Sequence, residues 1–195
     1  VAQSRGVTVL RTLTGFKYIG EKITEFARSG EREFLFGYEE SYGYLAGTHA
    51  QDKDAVVAAM LICEMAAAAK SQGRTLIDEL NGLYARFGYY LDAQDSHTLK
   101  GKDGAGRIAA MMARLRGGAR FEDIAETLDY AQGLDGLPRE NVMKFLCADG
   151  SWFAVRPSGT EPKIKIYYSV KDTDEASARA KLDARRAEID RVLGL

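Results

Sequence analysis

The run Lys163-Ile164-Lys165-Ile166-Tyr167-Tyr168-Ser169-Val170 leaves little freedom in what this chain can become. A β-strand turns successive side chains to opposite faces, so Lys163, Lys165 and Tyr167 share one face while Ile164, Ile166 and Tyr168 share the other. The isoleucine face belongs in a core, and the lysine face carries positive charge. Val142 to Cys147 and Trp152 to Val155 precede it as further strand-like runs, with the hairpin signal Asp149-Gly150 between them. These three runs are expected to form an antiparallel meander. Phe121 to Tyr130 is a further ordered segment before them. Two helices flank the group. Arg107 to Arg116 carries Ile108, Met111, Met112 and Leu115, and Asp174 to Leu193 is amphipathic and rich in Ala, Arg and Asp. This portion is therefore read as a small α+β domain with an antiparallel sheet.

The first half has a different rhythm. Val7 to Leu10 is a short β-rich run, and Phe16, Ile19, Ile23 and Phe26 recur at helical spacing from Gly15 to Ala27. Glu33 to Tyr38 reads as a second strand, followed by a loop from Glu39 to about Gln51. Asp54 opens a long helix to about Gln72, and Thr75 caps a further one to Tyr84. Strand alternating with helix suggests a layered α/β unit with parallel strands. Asp92 to Gly104 is polar with little periodicity and reads as a linker or loop. The division is therefore placed near residue 100, giving units 1–100 and 101–195, with no internal repeat.

The balance of 27 basic against 28 acidic residues, a net charge of -1, argues against nucleic acid as a partner. A small anion needs only a local cluster of positive groups. The two cysteines, Cys63 and Cys147, lie far apart and read as buried free thiols. No stretch is apolar for long enough to span a membrane and no signal-peptide pattern is present, so a cytoplasmic protein is expected. The start at Val1, without methionine or cap, suggests a piece of something longer.

Three segments carry chemistry. Arg156-Pro157-Ser158-Gly159-Thr160-Glu161-Pro162-Lys163-Ile164-Lys165 joins two expected strands. Arg156 offers a fork for two phosphate oxygens, Ser158 and Thr160 offer hydroxyls, and Gly159 lets backbone N–H groups face an anion. The same residues also fit a polar hairpin loop with solvated lysines. Gly37-Tyr38-Glu39-Glu40-Ser41-Tyr42-Gly43 follows an expected strand, where ligands of α/β sheets usually bind. Its carboxylates can accept hydrogen bonds from sugar hydroxyls; an ion-paired acidic turn is the alternative. Third, His49-Ala50-Gln51-Asp52-Lys53-Asp54 leads into the long helix. Lys53 is badly placed for the helix dipole there, which suits a cation held for function, although a surface lysine between capping aspartates also fits. His49 fits a plain loop histidine equally well. There is no P-loop, GxGxxG, HExxH or GxSxG, and Asp172-Thr173-Asp174 reads as a helix cap rather than a metal loop.

These segments, together with Thr12-Leu13-Thr14-Gly15-Phe16-Lys17-Tyr18-Ile19-Gly20 and in this order, resemble the α-D-phosphohexomutase superfamily, in its phosphoglucomutase/phosphomannomutase branch. The resemblance implies most of the third domain of such an enzyme, a three-layer α/β domain with a mixed sheet that is incomplete at its start, followed by the fourth. It implies that Glu39 and Ser41 bind sugar hydroxyls, and that Arg156, Ser158, Gly159, Thr160 and Lys165 bind the phosphate that is not transferred. Lys53 becomes a candidate for proton transfer or phosphate contact, with Lys17 and His49 as weaker candidates lining the site. The family moves a phosphoryl group between C1 and C6 of a hexose through a phosphoserine and a bisphosphorylated sugar that turns end for end. Mg²⁺ and a hexose 1,6-bisphosphate are implied for the full-length enzyme, and the N-terminal domains of the same protein are implied as partners. Neither the phosphoserine loop nor the metal loop is found in these residues, so the metal ligands are expected outside this chain and the chain alone is expected to be inactive. A free-standing sugar-phosphate-binding or regulatory module without catalysis is the alternative.

Overall fold

The computed structural model describes residues 1–195 except Glu40, Lys102, Asp135 and Thr160. Two compact units form, Val1–Leu83 and Tyr84–Leu195.

In the first unit, helix α1 (Phe16–Ser29) places Phe16, Ile19 and Ile23 on one buried face. It ends at Gly30, whose left-handed φ of 67° lets its N–H reach the Phe26 carbonyl. Strands β1 (Phe36–Tyr38) and β2 (Tyr44–Ala46) pair antiparallel, with Gly37 opposite Leu45. Leu45 is fully buried against the α1 residues, with Phe34 and Ala50 packed alongside. The expected parallel pairing is not seen among the described residues, where both sheets are antiparallel. The reason lies in the connection: a loop as short as 39–43 can join only antiparallel neighbours. Val7 to Leu10 forms no strand among the described residues, and Val9 and Leu10 are exposed.

Helix α2 (Ala55–Ser71) is apolar nearly all round and buries only Ala69. Val56, Met60, Ile62 and Met65 are exposed, and so is Cys63, which corrects its reading as a buried thiol. Helix α3 (Leu76–Phe87) opens on a reciprocal cap: Asp78 N–H donates to Thr75 Oγ1 at 3.2 Å and Thr75 N–H donates to Asp78 Oδ2 at 2.8 Å. No single helix among the described residues is long and apolar enough to cross a membrane.

The second unit is a five-stranded antiparallel sheet in the order β3-β7-β6-β5-β4. Its strands are β3 (Tyr89–Thr98), β4 (Ile124–Asp129), β5 (Met143–Cys147), β6 (Trp152–Pro157) and β7 (Lys163–Asp172). The meander β5-β6-β7 follows the sequence expectation, with Gly150 at φ 88° in the first turn. Ile164, Ile166, Tyr168 and Val170 are all buried, as the alternation requires. Helices α4 (Gly104–Arg116) and α5 (Glu175–Leu193) supply Ile108, Met111, Met112, Leu115, Leu182 and Ile189 to the same core. Phe145 and Phe153 stack at 4.6 Å, with the Phe121 ring edge-on at 5.0 Å from each. Asp174 caps α5 by accepting from Ser177 N–H at 2.9 Å, so the Asp172-Thr173-Asp174 stretch is a helix start.

Strand β3 corrects the linker expected over 92–104. It pairs with β7 along its whole length, from Tyr89 opposite Asp172 to Thr98 opposite Lys163. The expected division near residue 100 falls after this strand, which belongs to the second unit. Its alternation is disguised because Asp95 and His97 stand on the core-facing side, opposite Ile166 and Ile164. Asp95 is tolerated there because Arg186 of α5 forks onto both its oxygens at 2.9 Å.

Candidate functional site

Glu39 follows β1 directly, and the turn closes through Glu39 N–H donating to the Gly43 carbonyl at 2.9 Å. Tyr42 takes a left-handed φ of 66° and is almost wholly exposed. Ser41 lies exposed at the same turn. The Glu39 side chain is only 12% exposed, and Lys53 Nζ stands 3.9 Å from its Oε2. Lys53 Nζ donates to Asp52 Oδ1 at 3.0 Å. The two sequence candidates Glu39 and Lys53 are thus brought together. Gly43 makes this possible, since a Cβ there would lie 2.3 Å from Lys53 Cδ and 3.0 Å from Glu39 Oε2.

His49 and Lys17 go elsewhere within this unit. His49 Nε2 pairs with Asp54 Oδ2 at 2.8 Å, while Asp54 Oδ1 caps α2 through the Val56 and Val57 N–H groups. The His49 hydrogen bond first, and then the Val57 N–H, hold the Asp54 carboxyl below its usual range. His49 therefore steadies the start of the helix that follows Lys53. Lys17 lies with Gly20, Thr24, Gln51 and Asp52 along an open groove beside α1, its ammonium 4.7 Å from the Tyr18 ring centre. Gly20 lets the loop reach α1, for a Cβ there would meet the Gln51 carbonyl at 2.5 Å.

In the second unit, β6 and β7 bring Arg156 directly opposite Lys165, and Lys165 opposite Ser96 of β3. Directly opposed residues point to the same face, so two cations and a hydroxyl stand in one row. Ser158 N–H donates to the Lys163 carbonyl at 2.7 Å, closing the loop, and exposed Gly159 lies at its tip. Thr160 lies outside the described residues. Lys163 is spent on Glu161, 2.7 Å away, which holds that carboxyl below its usual range. Arg156 has Glu140 at 3.9 Å, whereas Lys165 makes no ion pair among the described residues. Like charges directly opposed across a sheet destabilise it until a counter-ion covers them.

Comparison with known proteins explains why such different loops share one chain. The family model for phosphoglucomutase/phosphomannomutase, alpha/beta/alpha domain III, matches residues 1–87, and that for the phosphoglucomutase/phosphomannomutase C-terminal domain matches residues 63–187. The chain belongs to the phosphoglucomutase/phosphomannomutase family. A phosphoglucomutase of Staphylococcus epidermidis is 38% identical over 185 residues, covering 87% of this chain and 33% of that protein. Those of Staphylococcus haemolyticus and Staphylococcus aureus are 39% identical over 185 residues and 35% over 200 residues, covering 87% and 94% of this chain and 33% and 36% of theirs. A crystal structure of the exocytosis-sensitive phosphoprotein pp63/parafusin (phosphoglucomutase) from Paramecium, open form, superposes with a TM-score of 0.74 at 21% identity. It covers 98% of this chain and 35% of that one, and shows the shared fold. The chain spans about a third of the length of the curated phosphoglucomutases it matches.

Sequence reasoning missed Asp52, Phe16, Glu140 and Ser96 as neighbours of these phosphoglucomutase/phosphomannomutase loops. Only Asp52 carried a local signal, from its place beside Lys53. The others depend on strand register or on α1 packing. Among the described residues no group of three or more His, Cys, Asp or Glu could hold a metal ion.

Proposed function

We propose that this chain is the sugar-phosphate-binding C-terminal part of a phosphoglucomutase/phosphomannomutase. Glu39 and Ser41 engage sugar hydroxyls, while Arg156, Ser158, Gly159, Thr160 and Lys165 hold the phosphate that is not transferred. The opposed Arg156–Lys165 pair carries this reading, because it is a charge conflict that a phosphate dianion resolves. The whole protein then interconverts hexose 1-phosphate and hexose 6-phosphate in the cytoplasm, through a phosphoserine and a bisphosphorylated intermediate. Mg²⁺ and the phosphoserine are supplied by N-terminal domains, so the 195-residue chain binds without turning over.

Titration of the chain with glucose 1-phosphate tests this, with chemical-shift changes mapped by NMR. Shifts are expected at Arg156, Ser158, Gly159 and Lys165, with affinity falling by about tenfold in Arg156→Ala, the scale of a lost charge-assisted pair. Unchanged affinity in that variant contradicts the phosphate assignment. Mutase activity in the chain freed of host enzyme contradicts the division of labour.

A further inference from the structure

The arginine of the cationic loop has a counter-ion that comes from a different loop. Glu140 Oε1 stands 3.9 Å from Arg156 Nη2, near enough to attract it and too far to accept a hydrogen bond from it. The two side chains are 34% and 32% exposed, so water weakens the attraction further. The Glu140 backbone, by contrast, is tied down. Its N–H donates to the Tyr130 carbonyl at 3.1 Å, and Tyr130 N–H donates to the Val142 carbonyl at 3.0 Å. Next to it, Asn141 Oδ1 accepts from Arg116 Nη2 at 2.7 Å, and the same guanidinium forks onto Asp129 at 3.0 and 3.3 Å. The end of α4 thus fixes where the chain entering β5 sets Glu140. A fixed backbone below a weakly engaged carboxylate can face Arg156 and still let it go.

We propose that Glu140 is a positioning residue for the phosphate loop, an internal counter-ion that steadies Arg156 in the empty state and that a phosphate group displaces. This rests on the sugar-phosphate reading of the same loop. Arg156 and Lys165 oppose each other across β6 and β7, so their charges repel when no anion lies between them. Glu140 relieves part of that repulsion at long range. A phosphate dianion relieves more of it, because its oxygens accept the charge-assisted hydrogen bonds that 3.9 Å denies to the carboxylate. Two anions against one guanidinium repel each other. Binding therefore exchanges one for the other, and the displaced carboxylate weakens the hold on the phosphate. A loop that must release what it binds is served by such a competitor, which takes Arg156 back as the ligand leaves. Glu161 is unsuited to this role, since it is engaged with Lys163 at 2.7 Å.

The test titrates the 195-residue chain with glucose 1-phosphate, and separately with inorganic phosphate, in wild type, Glu140→Gln, Arg156→Ala and the Glu140→Gln/Arg156→Ala double variant. Glutamine keeps the shape of the side chain and removes its charge. Glu140→Gln is expected to bind both ligands about two- to fivefold more tightly, the scale of an exposed ion pair that no longer competes. In the Arg156→Ala background the same change is expected to gain less, and this double-mutant cycle assigns the effect to the pair, which a merely structural role would not do. Unchanged or weaker binding in Glu140→Gln, or an equal gain with and without Arg156, overturns the proposal and leaves the sugar-phosphate reading standing. A gain for inorganic phosphate without any binding of glucose 1-phosphate supports the counter-ion role and overturns the sugar reading alone. If neither wild type nor Glu140→Gln binds either ligand, both fall.

Discussion

At the scale of single residues, Gly43 and Tyr168 show how much can depend on a few atoms. The three atoms nearest a methyl group at Gly43 all belong to side chains, two to the Lys53 stem and one to the Glu39 carboxylate. Gly43→Ala is therefore expected to fold, at an overpacking cost of about 1–3 kcal/mol, and to lose glucose 1-phosphate affinity by displacing Lys53. Chemical denaturation and a ligand titration on the same variant check both. Tyr168 is the opposite case. Its ring is buried, its hydroxyl makes no hydrogen bond of good geometry among the described residues, and burial and then the Asp95 charge push its ionisation well above the phenol range. Asp95 is committed to Arg186. Removing a buried, unsatisfied hydroxyl has little cost, so Tyr168→Phe is expected to lie within about 1 kcal/mol of wild type or above it. A loss of several kcal/mol in urea denaturation would show a partner that the structure does not reveal.

At the scale of elements, the legible parts were those whose local pattern and tertiary role agree. Strand β7 declares its buried face in Ile164, Ile166 and Tyr168, and α1 declares its own in Phe16, Ile19 and Ile23. Strand β3 was illegible because Asp95 on its inner face is paid for by Arg186, ninety-one residues away. Strand β2 was hidden inside a polar loop, since only Leu45 of its residues is buried. The site divided the same way: Glu39, Lys53 and Arg156 stand in readable motifs, whereas the Arg156–Lys165–Ser96 row exists only through register. Another long-range tie joins the end of α4 to β4. Arg116 Nε donates to Asp129 Oδ2 at 3.0 Å, and this bond leads the causes holding the Asp129 carboxyl below its usual range. A carboxyl depressed by folding stabilises fully above its unfolded pKa and loses that contribution as pH falls through its folded value. Urea midpoints are therefore expected to fall between neutral pH and pH ~3 more steeply in wild type than in Asp129→Asn. Equal slopes would show that the pair contributes nothing.

At the scale of the whole molecule, this chain is about a third of its curated relatives, and its two units present different sets of charged groups. The first presents a carboxylate and a cation in fixed relation. The second sets two cations on one sheet face. The contacts described above for each loop lie within its own unit, so each loop is expected to respond to its own substitutions. Recognition by exposed charges is screened by salt, while the hydrophobic cores are not. The decisive measurement is calorimetric titration of glucose 1-phosphate into wild type and the Arg156→Ala/Lys165→Ala double variant, at low salt and at ~0.5 M salt. Saturable binding by wild type that weakens with salt, and no measurable binding by the double variant, is the expected result. A double variant that binds as wild type does, at either salt, would contradict the assignment of this sheet face to phosphate.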